Sequence, residues 1–211
     1  MPILELSTLT WGQVERAPHL AVDAILGVTI CLSGCGAQAP DDNGVPPAPP
    51  LIVAAEAGDL VTLNRLLVEA GTPDVQDMCQ WTPLMKAALH GRTVMLQRLL
   101  DAGADVSVSD RGGYTALLHA AANNHTDAVQ LLLANGAAID HQEQTNGWTA
   151  LIWAANRGQQ ETVELLMRHG ADTSLRDFEG LSAADWAERQ HHHPVAAILR
   201  DGARTRTAPG D

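Results

Sequence analysis

Between residues 50 and 202 the apolar positions fall in short bursts at helical spacing, and each burst is closed by glycine or a small polar residue. "WTPLMKAALHG" (81–91), "YTALLHAAANN" (114–124), "WTALIWAANRG" (148–158) and "LSAADWAERQH" (181–191) each carry threonine or serine in second place, followed by a run rich in alanine and leucine. A threonine or serine in that place is the N-cap signal, so each segment predicts a helix of about two turns. Gly91, Asn124, Gly158 and His191 close these helices. A second helical pattern follows each one: "TVMLQRLLDAGAD", "TDAVQLLLANGAA", "ETVELLMRHGADT" and "PVAAILRDGA". Their expected C-caps are Gly103, Gly136, Gly170 and Gly202, since the residue after a helix often needs a left-handed conformation. Helices this short are not stable alone in water, so each must pack on neighbours.

The spacing between units is regular. Thr82, Thr115, Thr149 and Ser182 lie 33, 34 and 33 residues apart, and "PLIVAAEAGDLVTLNRLLVEAG" (50–71) repeats the helical pattern without a leading threonine. Self-similarity at that period means an array in which neighbours stack and share one elongated core. The T-x-L-x-x-A-A block, the glycine after it, the "LL-x-x-G-A" exit and the 33-residue period resemble ankyrin repeats, over about residues 50–202. The resemblance implies an all-α fold, an ankyrin-repeat solenoid of stacked helix-turn-helix units with β-hairpin or loop fingers. Its units divide as an N-terminal cap (50–79), three repeats (80–112, 113–146 and 147–179) and a C-terminal cap (180–202), followed by a disordered tail (203–211). Two fingers depart from the pattern. "PDVQDMCQWT" has Gln80 where a turn glycine is usual, and "AAIDHQEQTNGWT" carries one additional residue, with Asn146-Gly147 as its turn. The pairs Ala87-Ala88, Ala120-Ala121 and Ala154-Ala155 are expected to let the inner helices approach closely. Leu66/Leu67, Leu99/Leu100, Leu132/Leu133 and Leu165/Leu166 are expected to supply the bulk.

Aromatic residues make up only 3% of the chain, and their placement is uneven. Four residues after each hydroxyl anchor come Lys86, His119, Trp153 and Trp186, a position that the resemblance places on the inner helix, looking onto the concave face. One residue before each anchor come Trp81, Tyr114, Trp148 and Leu181, at the base of each finger on the same side. Phe178 lies in the last finger. No aromatic residue beyond residue 35 is then expected in the shared core. Trp81, Tyr114 and Trp148 fit either a brace between fingers or a binding face. Trp153 and Trp186 are read as binding anchors, because alanine or leucine would pack as well there and exposed aromatic clusters mark interaction sites. The candidate partner-binding residues are therefore Trp81, Lys86, Tyr114, His119, Trp148, Trp153, Phe178 and Trp186.

A net charge of −12 argues against nucleic acid as a partner, which needs a basic surface. Catalytic motifs are missing from the reading: there is no phosphate-cradling glycine loop, no H-E-x-x-H and no paired-cysteine zinc spacing. His191, His192 and His193 point about 100° apart if helical, so they cannot converge on one metal ion. Asp110 and Asp177 fall at finger turns, where a carboxylate accepts backbone hydrogen bonds. The expectation is a non-enzymatic, monomeric protein-binding module that needs no cofactor or metal.

The N-terminus carries a different signal. "AILGVTICLSGC" (24–35) is a short apolar run ending in small residues, too short for a membrane span of about 20 residues. Its end, Leu32-Ser33-Gly34-Cys35, resembles the lipobox of bacterial lipoproteins, which implies a signal peptide (1–34) and lipidation at Cys35. A proline-rich tether (35–49) would follow. The start at Met1 could precede the true one, since Arg16 is the only positive charge ahead of the run. Lipidation would leave Cys79 as the one remaining thiol. On this reading the module faces the periplasm, with the outer membrane favoured because Gly36 rather than Asp follows the cysteine, and touches the membrane only through its lipid. The alternative is a cytoplasmic ankyrin-repeat adaptor with a disordered leader.

Overall fold

The computed structural model describes residues 47–207, the side chains of residue 70 and of residues 203–207 excepted. Cys35, the 1–34 signal and most of the tether lie outside the described residues. All described residues belong to one compact unit. They form helices α1 (Pro50–Ala57), α2 (Leu60–Ala70), α3 (Pro83–Leu89), α4 (Thr93–Asp101), α5 (Ala116–Ala122), α6 (Thr126–Ala134), α7 (Ala150–Asn156), α8 (Gln160–Arg168), α9 (Ala183–Arg189) and α10 (His193–Thr207). Odd-numbered helices stack on one another in an inner layer, even-numbered helices stack in an outer layer, and each inner helix packs on the outer helix that follows it. The main contacts of each helix are with its own unit and the adjacent ones, which is the quasi-one-dimensional core of a solenoid.

The caps operate as the pattern predicts. Thr82, Thr115, Thr149 and Ser182 each accept, through the side-chain oxygen, the backbone N–H three residues on. Ser182 and Asp185 complete a reciprocal capping box. Gly91, Asn124, Gly158 and His191 have φ of 61°, 59°, 67° and 62°, the left-handed turn that reverses the chain into the outer helix. The turn is also a packing point. A Cβ on Gly91 would lie 2.5 Å from the His125 ring, and one on Gly158 would lie 2.5 Å from the His192 ring. At Gly91 and Gly158, therefore, glycine serves both the φ and the close approach of the next unit.

Several details differ from expectation. Gly202 does not cap α10; the helix runs through it to Thr207, five residues beyond the expected end of the cap. The fingers contain no strand among the described residues and are loops closed at most by single antiparallel bridges, Ser109 with Thr115 and Arg176 with Ser182. Leu99, Leu132, Leu165 and Leu166 are buried, but Leu66, Leu67, Leu100 and Leu133 are only half-buried, which corrects the expectation that both leucines of each pair supply core bulk. The fully buried outer-helix leucine of the first unit is Leu63. Cys79 is disulfide-bonded.

Candidate partner-binding site

The expected concave residues do come together, but they are buried rather than displayed. Trp81, Lys86, His119, Trp148, Trp153 and Trp186 are all buried, Trp153 to 3% exposure, and Tyr114 is half-buried. This corrects the expectation that Trp153 looks outward and that no aromatic residue beyond residue 35 lies in the buried core. The reason is size. Large side chains at adjacent positions of successive repeats fill the space between them and cover one another.

The result is a continuous row of rings across four units. Trp81 stacks on His119 with centroids 4.3 Å apart, and His119 stacks on Tyr114 at 5.6 Å. Tyr114 meets Trp153 at 6.2 Å, and Trp153 meets Trp148 edge-on at 4.6 Å. Trp148 then meets Trp186 at 4.8 Å. Such pairs contribute about 0.5–1.5 kcal/mol each beyond area burial. Cations sit over three of the rings: Lys86 Nζ over Trp81, Arg157 over Trp153 and Arg189 over Trp186, at 4.5, 5.6 and 4.8 Å. Lys86 also pairs with Glu56 at 3.6 Å, and Arg189 with Glu179 at 3.0 Å.

A line of finger carboxylates underlies the row. Asp77, Asp110 and Asp177 each accept through Oδ1 the backbone N–H groups two and four residues on. In Asp110 and Asp177 the second oxygen turns toward the rings. Asp110 Oδ2 lies 3.3 Å from His119 Nε2, an ion-pair distance but off hydrogen-bond alignment. Asp177 Oδ2 accepts both indole N–H groups beside it, from Trp148 at 3.0 Å and from Trp186 at 2.6 Å. The longer Glu143 takes this place in the third finger. Its two oxygens accept the N–H groups of Thr145, Asn146 and Trp148. Trp153 Nε1 is buried without an acceptor. Burial, and then the Glu143 charge, push the Tyr114 phenol up to about 12, so it stays neutral and packs as an uncharged ring.

Asp77 and Glu143 were not singled out by sequence, although a signal was present. An acidic residue precedes each base-of-finger position by four or five residues in all four fingers: Asp77 before Trp81, Asp110 before Tyr114, Glu143 before Trp148 and Asp177 before Leu181. Phe178 stands apart from the row. It is 70% exposed at the tip of the last finger, its ring lying over Gly147, where a Cβ would come within 2.7 Å of it. The finger tips are tied in one direction, with Arg111 N–H donating to Cys79, Gln144 N–H to Gly112 and Phe178 N–H to the Asn146 carbonyl.

This architecture defines a helical repeat scaffold. The family model described as "Ankyrin repeats (3 copies)" matches residues 51–143 and 137–207, and the chain belongs to the ankyrin-repeat family. No curated protein matches it. Ankyrin repeats are in general non-catalytic modules that bind proteins. Among the described residues no group of three or more His, Cys, Asp or Glu side chains is placed to hold a metal ion, and no helix is long and apolar enough to cross a membrane.

Proposed function

We propose that this chain binds another protein along the concave side of its inner helices and fingers, using the row of Trp81, Lys86, Tyr114, His119, Trp148, Trp153 and Trp186 as a rigid support. Phe178 is the directly exposed anchor. The observation that supports this most is the placement of the aromatic residues: six rings run as one row through four repeats, and the remaining Phe178 is presented at a finger tip. A rigid row holds the fingers in one geometry before the partner arrives, which lowers the ordering cost of binding. Phe178→Ala is the cleanest test, because an exposed side chain can be removed within about 0.5 kcal/mol of stability. With a partner purified from the native host on wild-type chain, its affinity should fall by about 2 kcal/mol, as for other aromatic hot spots. Unchanged affinity, with cross-links to the partner falling on the outer helices, would place the interface elsewhere.

We further propose that Cys35 carries the lipid of a bacterial envelope lipoprotein, a reading supported by Leu32-Ser33-Gly34-Cys35 alone. Labelling with a palmitate analogue should mark wild type and not Cys35→Ser. A cleaved, lipidated chain keeps no second thiol for the Cys79 bond. An intrachain Cys79 disulfide in protein isolated from its host would therefore overturn the anchor and favour the cytoplasmic adaptor with an intact leader.

A further inference from the structure

Among the described residues, the inner helices carry one charge without a counter-charge. Helices α5 (ALLHAAA) and α7 (ALIWAAN) contain no carboxylate. The carboxylates of the fingers beside them, Asp110, Glu143 and Asp177, are buried, and their oxygens face backbone N–H groups, His119 or indole N–H groups. Against this neutral background stands Arg157, the exposed residue that closes α7. Of the three cations over the rings, Lys86 is paired with Glu56 and Arg189 with Glu179. No ion pair among the described residues takes Arg157. In a chain of net charge −12, a guanidinium left without an internal anion is placed to meet an external one.

The ring beneath Arg157 orders it. Its guanidinium lies 5.6 Å from the centre of the Trp153 ring, which is itself buried between Tyr114 and Trp148. Trp153 is thus closed to a ligand and serves as a floor. A guanidinium resting on an aromatic floor still offers its N–H groups as a planar fork, the geometry that takes a carboxylate through two hydrogen bonds. Ordering the side chain in advance lowers the cost of that contact.

The other end of α7 supplies an apolar anchor. Phe178, 70% exposed, lies over Gly147 in the finger that leads into α7. The helix itself spans about 10 Å. With the finger base added, Phe178 and Arg157 are separated by about 10–20 Å, which about three to six residues of extended peptide cover at about 3.3 Å each.

We infer that the concave face takes an extended partner segment in which an Asp or Glu carboxylate meets Arg157 and an apolar side chain, about three to six residues away, packs on Phe178. The inference rests on the concave face being the binding face, and adds the chemistry of what binds there.

Random peptides of about twelve residues, long enough to span the strip, are displayed on phage and selected against the immobilised full chain. Enriched sequences should carry Asp or Glu at that spacing from an aromatic or aliphatic residue. Synthetic copies should bind Arg157→Gln about tenfold or more weakly than wild type, the loss expected of a charge-assisted hydrogen bond, with a smaller loss for Arg157→Lys. Charge reversal gives a second readout: Arg157→Glu should reject the acidic peptide and regain affinity for a copy with Lys in place of the acid. Arg157 is exposed, so these variants keep the fold. No enrichment, a consensus without an acid, or equal binding to wild type and Arg157→Gln would overturn the inference. Peptides that lose affinity on Phe178→Ala but not on Arg157→Gln would leave the concave face as the interface and remove only the carboxylate. Peptides indifferent to both substitutions would remove both readings.

Discussion

Trp153→Ala tests the meaning of the aromatic row most directly. Trp153 is 3% exposed and touches Tyr114 and Trp148 on one side of the inner helix, with Arg157 across its ring. Truncating a buried tryptophan costs about 3–5 kcal/mol. The ring pairs are part of that cost, at about 0.5–1.5 kcal/mol each. Deleting a buried N–H that lacks a partner returns part of it, since such a group costs about 1–3 kcal/mol. A net loss of about 2–4 kcal/mol follows, a large share of the roughly 5–15 kcal/mol that holds a domain folded. In a chain of this size it corresponds to a fall in Tm of roughly 4–16 °C. Urea unfolding followed by far-UV circular dichroism measures it, with Trp153→Phe as the control. Phenylalanine keeps most ring contacts and should recover at least half of the loss. A Trp153→Ala chain within about 0.5 kcal/mol of wild type would show that the ring stands free and that the row is no part of the packing.

Gln80 has φ 64°, the value that Gly113, Gly147 and Gly180 serve in the other fingers at 81°, 74° and 80°. Gln80→Gly should therefore stabilise the chain by about 0.5–1 kcal/mol in the same assay, because a left-handed conformation costs a side-chain-bearing residue about 1–2 kcal/mol and the added freedom of glycine takes back only part. Asp177→Ala should cost about 2–5 kcal/mol, since it leaves the indole N–H groups of Trp148 and Trp186 buried without an acceptor. Stability should also weaken in alkali. The Tyr114 value is raised in the fold, so its contribution is complete below its ordinary value near 10 and is lost as pH rises toward about 12. Tyr114→Phe should remove that share of the slope between pH 10 and 12, as read from unfolding curves.

What could be read from sequence here was whatever one repeat determines by itself. Thr82, Thr115, Thr149 and Ser182 cap helices through atoms three residues away, and Gly91 and Gly158 turn the chain locally, so both were legible. The burial of Trp153 was not. It depends on Tyr114, 39 residues before it, and on Trp148, whose orientation Asp177 fixes from the next finger. A concave position that would be open beside small neighbours becomes closed when both adjacent repeats also carry rings. Gly202 misled for a different reason. Glycine permits a left-handed turn without requiring one, and α10 continues through Gly202 to Thr207.

The backbone ties between described finger tips share one direction, each tip giving its N–H to the carbonyl of the tip before it. The solenoid thus has a direction, and its two ends are unlike. Duplicating a 33-residue unit inside the array inserts a finger that gives to the one behind and receives from the one ahead, with no new joint to be invented. Lengthening by copying preserves every existing contact, while a unit inserted in reverse order, or out of phase by a few residues, breaks a tie on both sides. The joint itself therefore acts as a reading frame for growth, and confines viable length variants of this scaffold to whole-repeat additions and losses.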